Sequence, residues 1–319
     1  MVQASSDAQI QNVVLLGGTG TVGSKILAAL VKKEFNVTVL SRAESNAEFQ
    51  SSVKVAKGDF NDAAFLQSAL RGNEAFIITL GVMAPEDLQH KLLEAAAQAG
   101  VKYVLPNEFG QNNGDPQVAE CIFVNSKKTQ YREKAETLGL TWFGIANGFW
   151  TDYSAAGGYF GVDVLNRTAD IWDDGKATLS VTTTDAAGQG VANLLALPKS
   201  KLDARANTFF LLSESAVSQS SLLAAAQKAT GTTDDDWKIV RRSRQDAIAE
   251  AQDRMAKSDF SAFPLLLYAT MFTPDLGSDF SGRNDNELLG LQTRSQDDLV
   301  QLFKDVVNGV IPDPRKRYG

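Results

Sequence analysis

The sequence predicts an α/β protein with a doubly wound parallel sheet, followed by a smaller, mostly helical cap. Two observations predict this class. Short apolar runs alternate with helical patterns as far as about residue 146, and a glycine-rich turn follows the first of those runs. Beyond Asn147 the alternation degrades and aromatic residues become frequent. We therefore expect one sheet, flanked by helices, in the amino-terminal half of the chain.

The first element is a buried strand, Val13-Val14-Leu15-Leu16, and a glycine turn follows it directly. Glycines stand at positions 17, 20 and 23, and apolar residues then recur at helical spacing. This order directs backbone N–H groups and a helix N-terminus toward a phosphate. Gly20 leaves room for a pyrophosphate, and Gly23 lets the helix pack closely on the strand. The turn predicts a dinucleotide site, with contacts from Gly17, Thr19, Gly20, Thr21, Val22 and Gly23.

The second strand, Phe35 to Leu40, indicates which dinucleotide is bound. Sites that prefer NAD usually place an Asp or Glu at this strand's end to bind the ribose hydroxyls. Here Ser41 and Arg42 follow instead, and a guanidinium can bind a 2′-phosphate through two hydrogen bonds. NADPH is therefore favoured as the cofactor. In the alternative, Arg42 is a solvated loop cation and the nearby Glu44 serves NAD.

The following elements continue the alternation. Asp62 is expected to cap a helix, and Gly100 to end the next one. Strands are predicted at 53–57, 75–80, 101–105 and 141–146, and helices from Asp62 to Leu70, from about Ala84 to Gly100, and over roughly 118–138.

Three later strand ends carry predicted cofactor contacts. Asp59 follows the third strand and is expected either to meet the adenine or to serve a turn. Leu80 and Gly81 end the fourth strand, where a residue without a side chain lets the backbone pass the cofactor. Asn147, which follows the sixth strand, is a further candidate contact.

Two more strands, at 177–181 and 208–212, are predicted to extend the sheet, with a helix near Thr184 between them. The predicted domains are residues 1–149, which bind the cofactor, and residues 150–319, which bind the substrate. The second region holds all the tryptophans but one, and many phenylalanines.

Composition excludes several classes of protein. The net charge of −7 argues against a general nucleic-acid binder. One cysteine, Cys121, cannot form an internal disulfide and fits a reducing compartment. One histidine, His90, argues against a histidine metal cluster, so no metal is expected. With no secretory signal and no apolar run near the ~20 residues of a membrane span, a cytoplasmic protein without membrane contact is predicted. The oligomeric state is not indicated.

The chemistry of the site depends on a helix that carries two adjacent lysines. The Tyr-x-x-x-Lys pattern of typical short-chain dehydrogenases is missing where it should stand, and Lys127 and Tyr131 occur in the reverse order. That absence argues against an epimerase that uses NAD transiently. Another group fits better, on four motifs: Gly17-Gly18-Thr19-Gly20-Thr21-Val22-Gly23, Ser41-Arg42, Val101-Lys102-Tyr103-Val104-Leu105-Pro106-Asn107-Glu108-Phe109-Gly110, and Asn147-Gly148-Phe149.

With these motifs the chain resembles the NmrA-like, isoflavone reductase-like group of atypical short-chain dehydrogenases. The resemblance implies hydride transfer from NADPH and a role in secondary metabolism. It also implies that a helix lysine eleven positions before a glycine is the general acid/base, which counts back from Gly139 to Lys128, with Lys127 as the fallback. A cation at Lys127 and an apolar pocket are expected to lower the pKa of Lys128. Asn107 stands where the family usually has serine.

Two functions of different classes follow from these observations. The leading one is an NADPH-dependent reductase of an aromatic or polyketide-like small molecule, which accepts hydride at an enone, quinone methide or ketone carbon. The alternative is an NADP(H)-binding redox sensor without turnover, in which Lys128 would bind the nicotinamide ribose rather than handle a proton. Predicted substrate contacts are Phe109, Phe149, Trp150 and Tyr153.

Overall fold

The chain forms two compact units in a computed structural model that describes residues 8–81 and 84–317. The first unit takes the described residues as far as Ala146 and two later segments, Asp185–Leu211 and Glu287–Leu291. The second unit takes the remaining described residues, beginning at Asn147. The assignment of a cofactor domain at 1–149 and a substrate region at 150–319 stays a prediction.

A seven-stranded, all-parallel sheet forms the centre of the first unit, with the strand order β11-β6-β5-β4-β1-β2-β3. This order confirms the predicted doubly wound fold class. Numbered along the chain, its strands are β1 (Asn12–Leu16), β2 (Asn36–Arg42), β3 (Lys54–Gly58), β4 (Ala75–Ile78), β5 (Tyr103–Leu105), β6 (Thr141–Ala146) and β11 (Thr208–Leu211).

Helices flank the sheet of the first unit. They are α1 (Thr21–Lys32), α2 (Ala63–Leu70), α3 (Leu88–Ala99), α4 (Pro116–Glu120), α5 (Phe123–Thr137) and α8 (Lys199–Asp203). Two more helices, α7 (Thr184–Leu195) and α12 (Asn286–Leu289), belong to this unit except for their first residues.

Local sequence accounts for most of these boundaries. All four residues of β4 are buried, as expected for a parallel strand covered on both faces. The Asp62 side chain accepts hydrogen bonds from the first-turn N–H groups of α2, which confirms the predicted cap. Gly100 ends α3 in the left-handed conformation, at φ 81°, as predicted.

Two predictions about the helices were wrong. The helix expected at about Ala84 begins only at Leu88. The helix expected over 118–138 is two helices, α4 and α5, because Ile122 between them is extended (φ −148°, ψ 140°) and buried. The break sets the start of α5, the helix that carries the candidate lysine.

The two predicted sheet extensions had different outcomes. The strand at 208–212 is confirmed, since β11 pairs with β6 and Thr208 lies opposite Phe143. The strand predicted at 177–181 does not extend this sheet: β10 (Leu179–Thr182) belongs to the second unit. Alternating and apolar patterns identify a strand but not the strand it pairs with, and β10 pairs with two short strands that the pattern did not reveal.

The second unit contains two three-stranded sheets, in the orders β12-β10-β7 and β13-β9-β8, and its helices hold more residues than its strands. The remaining strands are β7 (Phe149–Trp150), β8 (Val162–Asp163), β9 (Thr168–Trp172), β12 (Ser215–Val217) and β13 (Lys238–Arg242). Its helices are α6 (Thr151–Ala156), α9 (Gln219–Thr230), α10 (Arg244–Ala256), α11 (Phe263–Met271) and α13 (Gln296–Val307). Within the described residues of both units, every helix is too short or too polar to cross a membrane.

Candidate active site

The glycine turn between β1 and α1 is built so closely that two of its positions exclude any side chain. Gly17 has φ +87°, and a Cβ there would lie 2.1 Å from the backbone oxygen of Thr79. A Cβ at Gly23 would lie 2.1 Å from the backbone oxygen of Gly17. These distances confirm that Gly23 allows α1 to pack closely against the end of β1.

The N-terminus of α1 presents a surface that fits a phosphate group. Gly20 is its N-cap residue, and no side chain of the described residues caps the helix. Thr19 and Gly20 are exposed, Thr21 is half-buried and Val22 is buried. A Cβ at Gly20 would meet one described atom within 4 Å, the Gly17 oxygen at 3.2 Å, so the space over the turn is open. An uncapped helix N-terminus beside such a space suits an anion.

At the ends of β2 and β3, the predicted cofactor residues lie at the surface. The Arg42 side chain is 73% exposed, with Nε 3.4 Å from a Glu44 carboxylate oxygen. An exposed guanidinium in a single weak ion pair is available to a ligand phosphate. Asp59 stabilises its turn, because Oδ1 accepts hydrogen bonds from the backbone and side chain of Asn61. A contact between Asp59 and adenine stays a prediction.

Asn107 joins the ends of β4 and β5. Its side-chain oxygen accepts a hydrogen bond from the Leu80 N–H (3.1 Å), and its side-chain nitrogen donates one to the Leu80 carbonyl (3.0 Å). A serine hydroxyl would have to accept and donate these two bonds through a single oxygen, whereas the amide uses two separate atoms. The amide thereby fixes the backbone that leads into Gly81. That glycine is exposed, and a Cβ there would have no atom of the described residues within 4 Å.

Lys128 lies in the first half of α5, six residues after the break at Ile122. Its ammonium donates a 2.7 Å hydrogen bond to the backbone carbonyl of Glu108, in the segment that follows β5. Burial lowers the pKa of Lys128; the Glu108 carboxylate opposes this effect, and the Arg132 guanidinium reinforces it. A lysine whose pKa is lowered by burial is one of the groups that can exchange a proton with a substrate.

Lys127 does not act as predicted. Its side chain is exposed and forms a 2.7 Å ion pair with Glu86, which raises the pKa of Lys127. The prediction that Lys127 supplies the cation beside Lys128 is therefore wrong. The cation is Arg132, because residues four apart lie on one face of a helix whereas adjacent residues diverge.

The sequence interpretation missed a buried ion pair next to this lysine. The Glu108 side chain is 1% exposed, and its two oxygens accept hydrogen bonds from Arg132 Nη1 (2.5 Å) and Asn113 Nδ2 (2.8 Å). Phe109, a predicted substrate contact in the same segment, is buried. The Lys128-x-x-x-Arg132 spacing places two cations on one helix face, but it does not indicate Glu108 as a partner of either.

The other predicted contacts lie in the second unit. Asn147 is fully buried, and its side-chain oxygen has no hydrogen-bond partner among the described residues. Phe149 stacks on Tyr268 with 4.1 Å between ring centroids, and Trp150 meets Tyr153 edge-on at 5.8 Å. We refer to Phe149, Trp150, Tyr153, Tyr159 and Tyr268 as the aromatic cluster, since ring contacts connect them through Tyr159.

The described part of the chain contains no group of three or more His, Cys, Asp or Glu side chains arranged to hold a metal ion. A doubly wound parallel sheet with a glycine turn before an uncapped helix defines the dinucleotide-binding class of α/β proteins.

Comparison with known proteins finds similarity to one family within this class. Residues 9–156 match the model of the NmrA-like family. The oxidoreductase aprR of Aspergillus flavus is 25% identical over 296 residues, which cover 90% of this chain and 97% of aprR. The isoflavone reductase homolog IRL of Zea mays is 30% identical over 155 residues, covering 44% of this chain and 49% of IRL.

A solved structure extends the comparison over almost the whole fold. The NADPH-dependent quinone oxidoreductase QOR2 of Escherichia coli, complexed with NADPH, superimposes with a TM-score of 0.70 at 17% identity, covering 91% of this chain and 98% of QOR2. The chain is thus similar to the NmrA-like family over residues 9–156, and its likeness to QOR2 is one of fold.

Proposed function

We propose that this protein is an NADPH-dependent reductase that delivers hydride to an electrophilic carbon of an aromatic or polyketide-like small molecule, with Lys128 as the general acid/base. One observation carries this proposal: the Lys128 ammonium is held by a neutral carbonyl, and burial lowers its pKa. Its relatives include named oxidoreductases, and QOR2 was solved with NADPH.

The residues at the strand ends fit the cofactor. The uncapped N-terminus of α1, with Gly17, Gly20 and Gly23, would hold the pyrophosphate, and Arg42 would hold the 2′-phosphate. Asp59, Leu80, Gly81 and Asn147 are proposed as further contacts. When bound, NADPH supplies the hydride.

Arg42→Ala is expected to remove most of the preference for NADPH. We expect the unmutated protein to bind NADPH at least tenfold more tightly than NADH, about 1.4 kcal/mol, because a guanidinium makes charge-assisted hydrogen bonds to a phosphate. Fluorescence titration of both proteins with both cofactors measures the effect. Glu44→Gln is the control, since it removes the ion-pair partner of Arg42 and leaves the guanidinium in place. Equal dissociation constants for the two cofactors in the unmutated protein would refute the assignment.

The role of Lys128 follows from the charge that reduction leaves behind. Reduction of an enone, a quinone methide or a ketone places negative charge on the substrate oxygen, and a proton must reach that oxygen. An ammonium has three N–H donors, and the Glu108 carbonyl takes one of them. The lowered pKa makes the remaining N–H groups better proton donors than those of a solvated lysine.

Aromatic residues of the second unit are proposed to bind the substrate, and in the first unit Phe109 stays a predicted contact. Trp150 and Tyr153 are only half-buried, so their rings can pack against a ligand as well as against each other. The Nε1 atom of Trp150 is buried without a hydrogen-bond partner in the described residues. Phe149, by contrast, is buried on Tyr268 and contributes to the core of the unit.

Tyr153→Ala is expected to raise KM about tenfold and to change kcat little, because an aromatic contact contributes roughly 0.5–1.5 kcal/mol of binding. Steady-state kinetics on a verified substrate measures both constants. Tyr153→Phe keeps the ring and should restore KM. Phe149→Ala is unsuitable as a probe, since loss of a buried ring destabilises a fold by about 3–5 kcal/mol. An unchanged KM in Tyr153→Ala would remove this residue from the substrate site.

The proposal is tested by incubating the protein with NADPH and a panel of phenolic enones, quinone methides and ketones. Loss of NADPH absorbance identifies turnover, and mass spectrometry of the products identifies the reduced bond. With NADPH deuterated at the transferring carbon, a reductase yields a product that is one mass unit heavier than the unlabelled product. If the protein binds NADPH tightly but reduces no compound of the panel, the redox sensor is favoured instead.

A further inference from the structure

Two side chains of α5 bind different atoms of Glu108. Glu108 offers two kinds of acceptor, a neutral backbone carbonyl and a charged carboxylate. Lys128 binds the carbonyl at 2.7 Å, whereas Arg132, one turn further along the same helix, binds the carboxylate at 2.5 Å. A lysine paired with a carboxylate has a raised pKa and donates its proton poorly, so this division of partners matters for proton transfer.

We propose that Arg132 is a positioning residue: by holding the Glu108 carboxylate, it leaves the Lys128 ammonium on the Glu108 carbonyl and out of an ion pair. This inference rests on the proposed function, since it concerns how the same lysine is prepared for proton transfer.

Arg132 is itself fixed from several directions, as such a role requires. Its Nη2 donates to the Asn113 carbonyl (3.2 Å) and to the Thr129 hydroxyl (3.0 Å). Its guanidinium lies over the rings of Trp142 on β6 (5.6 Å) and Phe209 on β11 (5.1 Å). These contacts hold a charged group that is only 10% exposed in one orientation.

The carboxylate is held equally well. Asn113 Nδ2 donates to one Glu108 oxygen and Arg132 Nη1 to the other, so each oxygen already accepts a hydrogen bond from a group other than Lys128. A buried ion pair is not in general more stable than apolar side chains of similar size. Its presence beside a half-buried lysine therefore favours a role in arranging charge over a role in stability alone.

Few other charges of the first unit act on this lysine. Glu108, from the segment after β5, and Arg132, from α5, are the charged groups that influence Lys128. The neighbouring cations of α5 are engaged elsewhere: Lys127 pairs with Glu86, and Lys134 pairs with Glu94 on α3. His90 of α3 packs against the ring of Tyr131, with 5.0 Å between ring centroids.

The test is an NMR titration of Lys128 in the full-length protein labelled with ¹³C at the lysine Cε, with the signal assigned by Lys128→Arg. In Arg132→Gln, the freed carboxylate should capture Lys128 and raise its titration midpoint by about one pH unit or more. In Glu108→Gln, an isosteric change, the midpoint should fall. In the double variant, which has neither charge, it should return close to that of the unmutated protein.

Lys134→Gln is the matched control, because it removes a cation of α5 from a surface ion pair and should leave the midpoint unchanged. Unchanged midpoints in folded Arg132→Gln and Glu108→Gln would overturn the inference. If Arg132→Gln fails to fold, the isosteric Glu108→Gln variant decides by itself, and a midpoint that does not fall overturns the inference.

A kinetic readout separates this inference from the proposed function. A general acid must be protonated, so turnover should be lost above the pKa of Lys128, and Arg132→Gln should move that loss to higher pH. The NMR titration needs no turnover. If the enzyme is active but the midpoints do not move, the role of Arg132 fails and the proposed function stands. If the midpoints move but no substrate is turned over, the role of Arg132 stands and the proposed function fails.

Discussion

Lys128→Ala is expected to lower turnover by about 10²- to 10⁴-fold, the usual loss when a general acid is removed. The methyl group of alanine cannot donate a proton, and the Glu108 carbonyl then loses the ammonium that it binds at 2.7 Å. Affinity for NADPH should change little, because the pyrophosphate is proposed to lie at the N-terminus of α1. Single-turnover kinetics on a verified substrate measures the chemical step separately from binding.

Lys127→Ala is the natural control for this result. The two lysines are adjacent, but Lys127 is exposed and paired with Glu86, so its loss should cost much less. The pH profile adds a second check. Because the pKa of Lys128 is lowered, the alkaline loss of activity should begin below the range of a solvated lysine. Unchanged turnover in Lys128→Ala would exclude the residue as the general acid.

The adjacency of the two lysines also shows what the sequence could not resolve. Counting back from Gly139 selects Lys128, but the sequence gives no direct measure of burial. The structure separates the pair because the break at Ile122 sets where α5 begins, and with it the face on which each residue lies. Lys128 then lies toward the segment after β5, and Lys127 toward Glu86.

The features that sequence predicted correctly are local. The strand, glycine turn and helix at 12–32 need only neighbouring residues to define them, and so do the cap at Asp62 and the stop at Gly100. Each is fixed by backbone geometry or by a hydrogen bond within a few positions.

The features that it missed depend on distant partners. β10 was recognised as a strand, but its pairing with β7 and β12 joins segments about 30 positions apart. Arg132 and Glu108 are 24 positions apart, so the pair becomes evident only when the end of β5 and the helix α5 meet. Periodicity carries no information about such contacts.

The second large effect is expected from substitutions in the glycine turn. Two of them, at Gly23 and Gly20, separate a loss of stability from a loss of NADPH binding. Gly23→Ala should destabilise the protein by about 3 kcal/mol and abolish NADPH binding, because the added carbon would lie 2.1 Å from the Gly17 oxygen. The obstructing atom belongs to the backbone, so it cannot move aside by a change of rotamer. Urea unfolding measures the free energy of unfolding, and fluorescence titration measures the affinity for NADPH.

Gly20→Ala should affect binding more than stability. Gly20 has φ −71°, which alanine adopts without strain, and its added carbon would meet only the Gly17 oxygen among the described atoms, at 3.2 Å. This contact is tight but far less severe than the one at Gly23, so the loss of stability should be about 1 kcal/mol or less. The methyl group would project into the space proposed for the pyrophosphate, so the NADPH dissociation constant should rise at least about tenfold. Full NADPH affinity in a stable Gly20→Ala variant would show that the phosphates lie elsewhere. The added methyl group would occupy the space proposed for the pyrophosphate, so a pyrophosphate bound there could not keep its contacts.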